Sequence, residues 1–151
     1  MMKKAILAAI AIAIAAIGVS AEEANLALNK TATASSIQMK GVEPAKAVDG
    51  KLNTRWSSKF SDNQWIMIDL GSAQEVGKVV LRWENAYAKE YKVQISVDGK
   101  EFKTVSEQKE GKGKTEAITF PAEKAQFVRI QCDKRGTNYG NSLWEVQVFA
   151  K

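Results

Sequence analysis

Residues 47–65, AVDGKLNTRWSSKFSDNQW, concentrate side chains that could do chemistry. They hold an Asp-Gly turn at Asp49-Gly50, a Thr-Arg-Trp step at Thr54-Arg55-Trp56, and a second tryptophan, Trp65. The chain has no histidine, which removes the commonest general base, the Ser-His-Asp and Cys-His arrangements and most zinc sites. It also lacks a glycine-rich phosphate loop. Hydrolysis of a glycoside needs only two carboxylates at a fixed separation, and Asp62, Glu84 and Glu145 could supply them. Nothing in their spacing selects a pair from the 17 acidic residues. They are read as surface carboxylates, cation ligands or hydrogen-bonding groups, and the chain is read as no enzyme.

The elements that position these groups are strands. Trp65 to Leu70 is a short apolar run ended by Gly71, and Val79, Leu81 and Trp83 can share one face of a second run over residues 76–83. Residues 92–97 alternate polar and apolar with period 2, as in a half-buried strand, and Asp98-Gly99 follows directly as a hairpin signal. Residues 102–105, 117–120, 127–132 and 143–149 supply further strands. Only residues 85–90 offer a helical turn. Short strands divided by turn signals predict an all-β sandwich, with its first and last strands side by side. Trp56, Trp65 and Trp83 are expected in its core.

The ends and the composition bound the rest. Lys3 and Lys4 precede an unbroken apolar run over residues 5–17, and Val19-Ser20-Ala21 offers small residues for cleavage. Residues 1–21 are therefore expected to be a secretory signal peptide, because the run is shorter than the ~20 apolar residues of a membrane span. The product would be exported, periplasmic or secreted, with no stable membrane insertion. The chain has 22 Lys plus Arg against 17 Asp plus Glu, a net +5, and without Lys3 and Lys4 the net is +3. A charge this mild is no nucleic-acid footprint. Residues 109–114, KEGKGK, are glycine-broken and read as a solvated hairpin loop. The 130 residues 22–151 suit one domain, expected to be a monomer. The single cysteine, Cys132, makes no internal disulfide and is read as a small core residue.

The motifs Asn25-Leu26-Ala27, Ala32-Thr33-Ala34-Ser35-Ser36, residues 47–56, the "QW…DLG" of 64–71, the "Y…IS.DG" of 91–99, Phe127-Val128-Arg129-Ile130 and Ser142-Leu143-Trp144-Glu145 occur in order. In this the chain resembles the discoidin, or coagulation factor 5/8 type C, superfamily, and within it the bacterial carbohydrate-binding modules of family 32. The resemblance implies a jelly-roll β-sandwich of about eight antiparallel strands over residues 22–151. The pair of cysteines that ties the ends of animal members is missing, which favours the carbohydrate-binding branch over the lipid-binding one.

The resemblance further implies a structural Ca²⁺. Asp49 would donate its carboxylate, Thr54 its hydroxyl and carbonyl, and Lys46 and Lys51 their backbone carbonyls. Glu145 would close the shell beside the Trp144 carbonyl, making an oxygen-only set suited to Ca²⁺. The ligand of such modules sits on loops at one end of the sandwich, here residues 37–44, 58–63, 84–89 and 135–141. A sugar ring wants aromatic faces and directed polar groups around them. Phe60, Tyr87 and Tyr139 are the aromatic candidates, and Lys40, Glu43, Glu84, Lys89, Arg135 and Asn141 the polar ones.

Many galactose-binding members place a His just after the Thr-Arg-Trp step. Ser57 stands there, which turns the resemblance away from galactose and toward cell-wall polymers. Glu43 and Glu84 suit an amino sugar or neutral hydroxyls. Lys40, Lys59, Lys89 and Arg135, with the net +3, suit a uronate chain. The expectation is non-catalytic binding of a poly- or oligosaccharide, an acidic uronan such as polygalacturonate first, β-glucan or chitosan next. The alternative is an adhesion module that uses the same loops on a protein or a lipid head group.

Overall fold

The computed structural model describes residues 23–151, so the expected signal peptide lies outside the described residues. Among the described residues seven strands follow in chain order: β1 (Thr31–Ala34), β2 (Trp56–Ser57), β3 (Gln64–Trp83), β4 (Ala88–Ser96), β5 (Lys103–Gln108), β6 (Thr115–Arg135) and β7 (Ser142–Phe149). One short 3₁₀ turn, Pro44–Ala47, leads into the Asp49-Gly50 loop. Every strand pairing is antiparallel.

Two of the runs anticipated as separate strands are halves of β3, and two more are halves of β6. Register shifts between Asp69 and Gln74, and between Val76 and Lys78, bend this long pair. Irregularities of this kind turn a strand from one layer into another. The first half of β3 pairs with β1 and with the second half of β6, which continues to β4 and β5. The second half of β3 pairs with the first half of β6 and with β7, which continues to β2. The result is the β-sandwich that the alternation called for.

The period-2 pattern decides what the layers bury. Ile66, Ile68 and Leu70, then Val79, Leu81 and Trp83, point inward from β3 to meet Val93, Ile95, Val128, Ile130, Val146 and Val148. Trp56 is fully buried and anchors the short β2, its indole Nε1 donating to the Ser36 carbonyl at 3.0 Å. Cys132 is buried in the same core as a free thiol, and burial pushes its pKa up.

Four expectations are corrected. Trp65 is only half-buried, because Ile66 and Ile68 take the inward face and alternation turns Trp65 to the other. Residues 85–90 form no helical turn: 85 and 86 are a bend, and β4 begins at Ala88. The strand β1 lies beside β3, not β7. The stretch just before it is what meets the last strand, with Leu26 N–H donating to the Val148 carbonyl at 2.7 Å. The 109–114 loop is not wholly solvated: Gly111 and Gly113 are buried against Tyr91 and Tyr87, while Lys112 and Lys114 are exposed. Among the described residues no helix is long and apolar enough to cross a membrane.

Candidate functional site

One end of the sandwich gathers the loops that matter. The pairings Trp83↔Leu143, Gln64↔Cys132, Ala88↔Arg135 and Ser57↔Ser142 bring ends of β2, β3, β4, β6 and β7 to one edge. A pocket of about 340 Å³ opens there, lined by Gln38, Arg55, Ser57, Phe60, Glu84, Asn85, Ala86, Tyr139, Gly140 and Ser142. That volume lies within the range of small-ligand sites.

Two aromatic rings stand at its mouth. Phe60 and Tyr139 meet edge to face, with centroids 5.7 Å apart and planes at 84°, and both are more than half exposed. Exposed rings in mutual contact hold an orientation and present apolar surface to a ligand. Glu84 supplies the acid. Its Oε2 accepts the Ala86 N–H at 2.9 Å, which fixes the carboxylate at the start of the 84–87 turn. Arg55 supplies the base. Its Nε donates to Ser57 Oγ at 3.1 Å, and its guanidinium lies 5.6 Å from the centre of the Trp144 ring. Both contacts hold a planar donor fork in place.

The pocket floor is a buried hydroxyl pair. Ser57 and Ser142 Oγ atoms lie 2.7 Å apart, and Ser142 Oγ also donates to the Trp56 carbonyl at 2.9 Å. The wall depends on Gly140, where a Cβ would come within 2.4 Å of the Ser58 carbonyl. Only glycine permits this approach of the 136–141 loop to residue 58.

Of the nine residues expected at the sugar site, three line the pocket: Phe60, Glu84 and Tyr139. The other six stand elsewhere. Tyr87 is half-buried beneath two loops, with Gly113 and Gly136 packed against its ring, and its carbonyl accepts the Gly136 N–H at 2.8 Å. It supports the site from below. Asn141 is fully buried, and its N–H and Nδ2 both donate to Ser58 Oγ, at 2.9 and 3.1 Å. Lys89 faces Glu110 at 3.8 Å. Glu43 accepts the Gly41 N–H at 2.8 Å, which holds its carboxyl below the usual range, and Lys40 lies on the same turn.

Arg135 is turned inward on its own loop. Its Nε donates to Asp62 Oδ1 at 2.9 Å and its Nη1 to the Tyr139 carbonyl at 3.2 Å. The Arg135 N–H also donates to Asp62 Oδ1 at 3.1 Å, and these bonds hold the Asp62 carboxyl below its ordinary pKa. Arg135 is thus a brace for Tyr139. Partly exposed ion pairs of this kind contribute about 0.2–1 kcal/mol. Arg135→Ala should therefore weaken ligand binding no more than about fivefold and leave the melting temperature nearly unchanged. Complete loss of binding in a folded Arg135→Ala protein would instead place this guanidinium on the ligand.

Gln38, Arg55, Ser57 and Asn85 line the pocket but are not among the expected ligand residues. The sequence holds a signal for two of them. Arg55 and Ser57 flank the inward Trp56, so alternation sends both to the opposite face. Gln38 and Asn85 lie on loops, where no periodicity helps.

The second cluster surrounds the Asp49-Gly50 loop. Thr54 Oγ1 donates to Asp49 Oδ2 at 2.6 Å and lies 3.4 Å from the Lys46 carbonyl. Asp49 Oδ1 accepts the Lys51 N–H at 3.0 Å. Glu145 reaches this loop from β7, where its Oε1 accepts the Gly50 N–H at 3.1 Å. Its Oε2 is buried and has no hydrogen-bond partner among the described residues. Burial pushes the Glu145 pKa up to about 7; the Gly50 bond opposes that rise and the Asp49 charge adds to it. Trp144 is the half-buried residue beside it. The donor set is two carboxylates with neutral oxygens. Among the described residues no group of three or more His, Cys, Asp or Glu could hold a metal. An orphaned buried carboxylate oxygen beside a second carboxylate and a hydroxyl fits a hard, oxygen-seeking cation.

The family model described as "F5/8 type C domain" matches residues 31–146, the span that carries both clusters. The chain belongs to the F5/8 type C domain family. Solved members of this fold include carbohydrate-binding modules. Chitosan-binding module 1 of a chitosanase/glucanase from Paenibacillus sp. IK-5 is 48% identical, with a TM-score of 0.82 over 83% of this chain and 98% of that one. Module 2 of the same enzyme, solved with chitotriose, is 46% identical, with a TM-score of 0.82 over 83% of this chain and 99% of that one. The module CpGH89CBM32-5 from Clostridium perfringens, in complex with GalNAc-β-1,3-galactose, is 28% identical, with a TM-score of 0.75 over 84% of this chain and 100% of that one. Such F5/8 type C modules are binding domains, and the similarity supports carbohydrate binding. A curated relative, the polysaccharide lyase 8 family protein HylA of Enterococcus faecalis, is 32% identical over 114 residues. The chain spans 8% of that relative's length.

Proposed function

We propose that this module binds an amino-sugar polymer of the chitosan type without acting on it, and that its pocket takes one glucosamine unit. The observation that carries this is the Glu84 carboxylate inside a pocket mouthed by Phe60 and Tyr139. An ammonium beside that carboxylate forms a charge-assisted hydrogen bond, while the rings cover an apolar face of the sugar. Arg55, Gln38 and Asn85 surround the pocket with donors for ring hydroxyls. The two Paenibacillus modules, named for chitosan binding, lend support from outside the chain.

The sequence inclined toward a uronan because of its loop cations. In the folded chain those cations do not converge. Arg135 is engaged by Asp62 and Lys89 faces Glu110, while Lys40 and Lys59 do not line the pocket. What remains inside is one acid and one base. That composition suits an amino sugar better than a chain of carboxylates.

The Asp49, Thr54, Lys46, Lys51, Trp144 and Glu145 cluster is proposed to hold a structural Ca²⁺. When bound, the ion supplies charge neutralisation for two carboxylates and no reaction step. Residues 1–21 are proposed to direct export, and the folded module to work as a monomer.

Affinity electrophoresis of residues 22–151 through gels with chitosan, polygalacturonate, laminarin or galactan tests the ligand. Retardation by chitosan, relieved by high salt, is the expected result. Retardation by polygalacturonate alone would overturn the amino-sugar reading. Free passage through every gel would favour a protein or lipid head group as partner.

A further inference from the structure

A second groove opens beside the pocket and shares two residues with it. It is lined by Gln38, Met39, Lys59 and Phe60, with a volume of about 350 Å³. Gln38 and Phe60 also line the pocket, so the two adjoin. Their chemistry differs. The pocket has the Glu84 carboxylate, whereas the groove has no acid and instead has the exposed Lys59 and a 56% exposed Met39. Among the described residues Lys59 forms no ion pair.

The backbone under the groove is fixed. Gln38 N–H donates to the Ser57 carbonyl at 2.8 Å, and Lys59 N–H to Ser36 Oγ at 3.0 Å. The Lys59 carbonyl accepts Ser58 Oγ at 2.9 Å. A methionine this exposed, held on a tethered loop and next to a half-exposed phenyl ring, makes an apolar spot that none of the described residues covers.

We propose that this groove is a second subsite, that it takes an N-acetylglucosamine unit adjoining the glucosamine at Glu84, and that the module therefore prefers partially acetylated chitosan to the fully deacetylated polymer. This rests on the glucosamine reading of the pocket. A free ammonium in the groove meets Lys59 with no compensating carboxylate, so like charges oppose it. An acetamide is neutral there. Its methyl group finds the Met39 thioether and the Phe60 ring, a contact worth roughly three- to fivefold in affinity for one methyl-sized group. The two sites read charge in opposite senses, and a polymer alternating amine with acetamide satisfies both.

Calorimetric titration decides it, using three disaccharides: glucosamine linked β-1,4 to glucosamine, and the two mixed isomers that have one N-acetyl group. One mixed isomer should bind roughly fivefold tighter than the fully deacetylated disaccharide. Met39→Ala should remove that advantage. Lys59→Glu should reverse the preference by tightening the deacetylated disaccharide several-fold, a gain that a misfolded protein does not produce. If the deacetylated disaccharide binds but neither mixed isomer improves on it, the subsite is wrong and the pocket reading stands. The subsite is equally wrong if Lys59→Glu leaves the preference unchanged. If none of the three binds the wild-type module, the pocket reading falls and the subsite with it.

Discussion

Glu84→Gln should lower affinity for chitosan oligosaccharides about 10- to 100-fold while the module stays folded. Charge-assisted hydrogen bonds contribute about 1.5–3 kcal/mol, and the substitution removes the charge while keeping the shape. Glutamine retains a carbonyl oxygen that can accept the Ala86 N–H, so the 84–87 turn survives. Neighbouring structure depends on that turn. Ala86 carries the carbonyl that accepts the Ser142 N–H at 2.8 Å, and Ser142 lies on the pocket floor. Glu84→Ala would loosen both together and report on neither. Titration calorimetry with a glucosamine trimer, beside a thermal melt, separates affinity from folding. An affinity within twofold of wild type would remove Glu84 from the site. It would leave Phe60, Tyr139 and Arg55 to bind a neutral or acidic sugar.

Calcium should raise the melting temperature by roughly 10 °C at saturating concentration and neutral pH, and by much less at pH 5. The first half follows from linkage. A ligand present at about 100 times its Kd adds about 2.7 kcal/mol, which for a domain of this size is several degrees for each kcal/mol. The second half follows from Glu145. Its native pKa of about 7 stands above the ordinary carboxylate value because the side chain is buried beside Asp49. In the metal-free protein the native state holds a proton that the unfolded chain releases near pH 4.5. Between those two values the native state binds more protons than the unfolded one. Stability of the chelated protein should therefore fall as pH rises from about 5 to about 7.5. A cation needs the ionised carboxylate and displaces that proton, so its effect grows over the same range. Thermal melts with chelator and with Ca²⁺, at pH 5 and pH 7.5, make the comparison. Asp49→Ala and Glu145→Gln should each abolish the calcium response, and Glu145→Gln should flatten the pH slope as well. A calcium response of equal size in either variant would place the cation elsewhere.

Much of this architecture is legible in the chain for a simple reason. A half-buried strand reports its own inward face through alternation, so Ile66, Ile68, Leu70, Val79, Leu81 and Trp83 can be assigned without a partner in view. Trp56 lies in the core as expected, and Trp65 does not. Its hydrophobicity argues for the core while its position, one before Ile66, turns it outward. The continuity of β3 and β6 through both layers is also hidden. Residues 71–75 and 121–126 lie between the anticipated runs, and only the pairing of Gln74, Glu75 and Val76 with Ala125, Lys124 and Glu123 shows that the two strands turn the corner together.

The sequence by itself determined the inward faces of the longer strands, the absence of histidine-based chemistry and the motif order shared with the family. It also set out the loop residues from which a site would be made. All of these are local or compositional properties, carried by each segment on its own. Only the tertiary structure decided which charged and aromatic residues converge. Arg135 is held by Asp62, 73 positions away, and Glu145 meets Gly50 across 95. Whether a side chain faces a ligand depends on whether the protein already satisfies it. That is a property of the pair, and a linear chain does not display its partners.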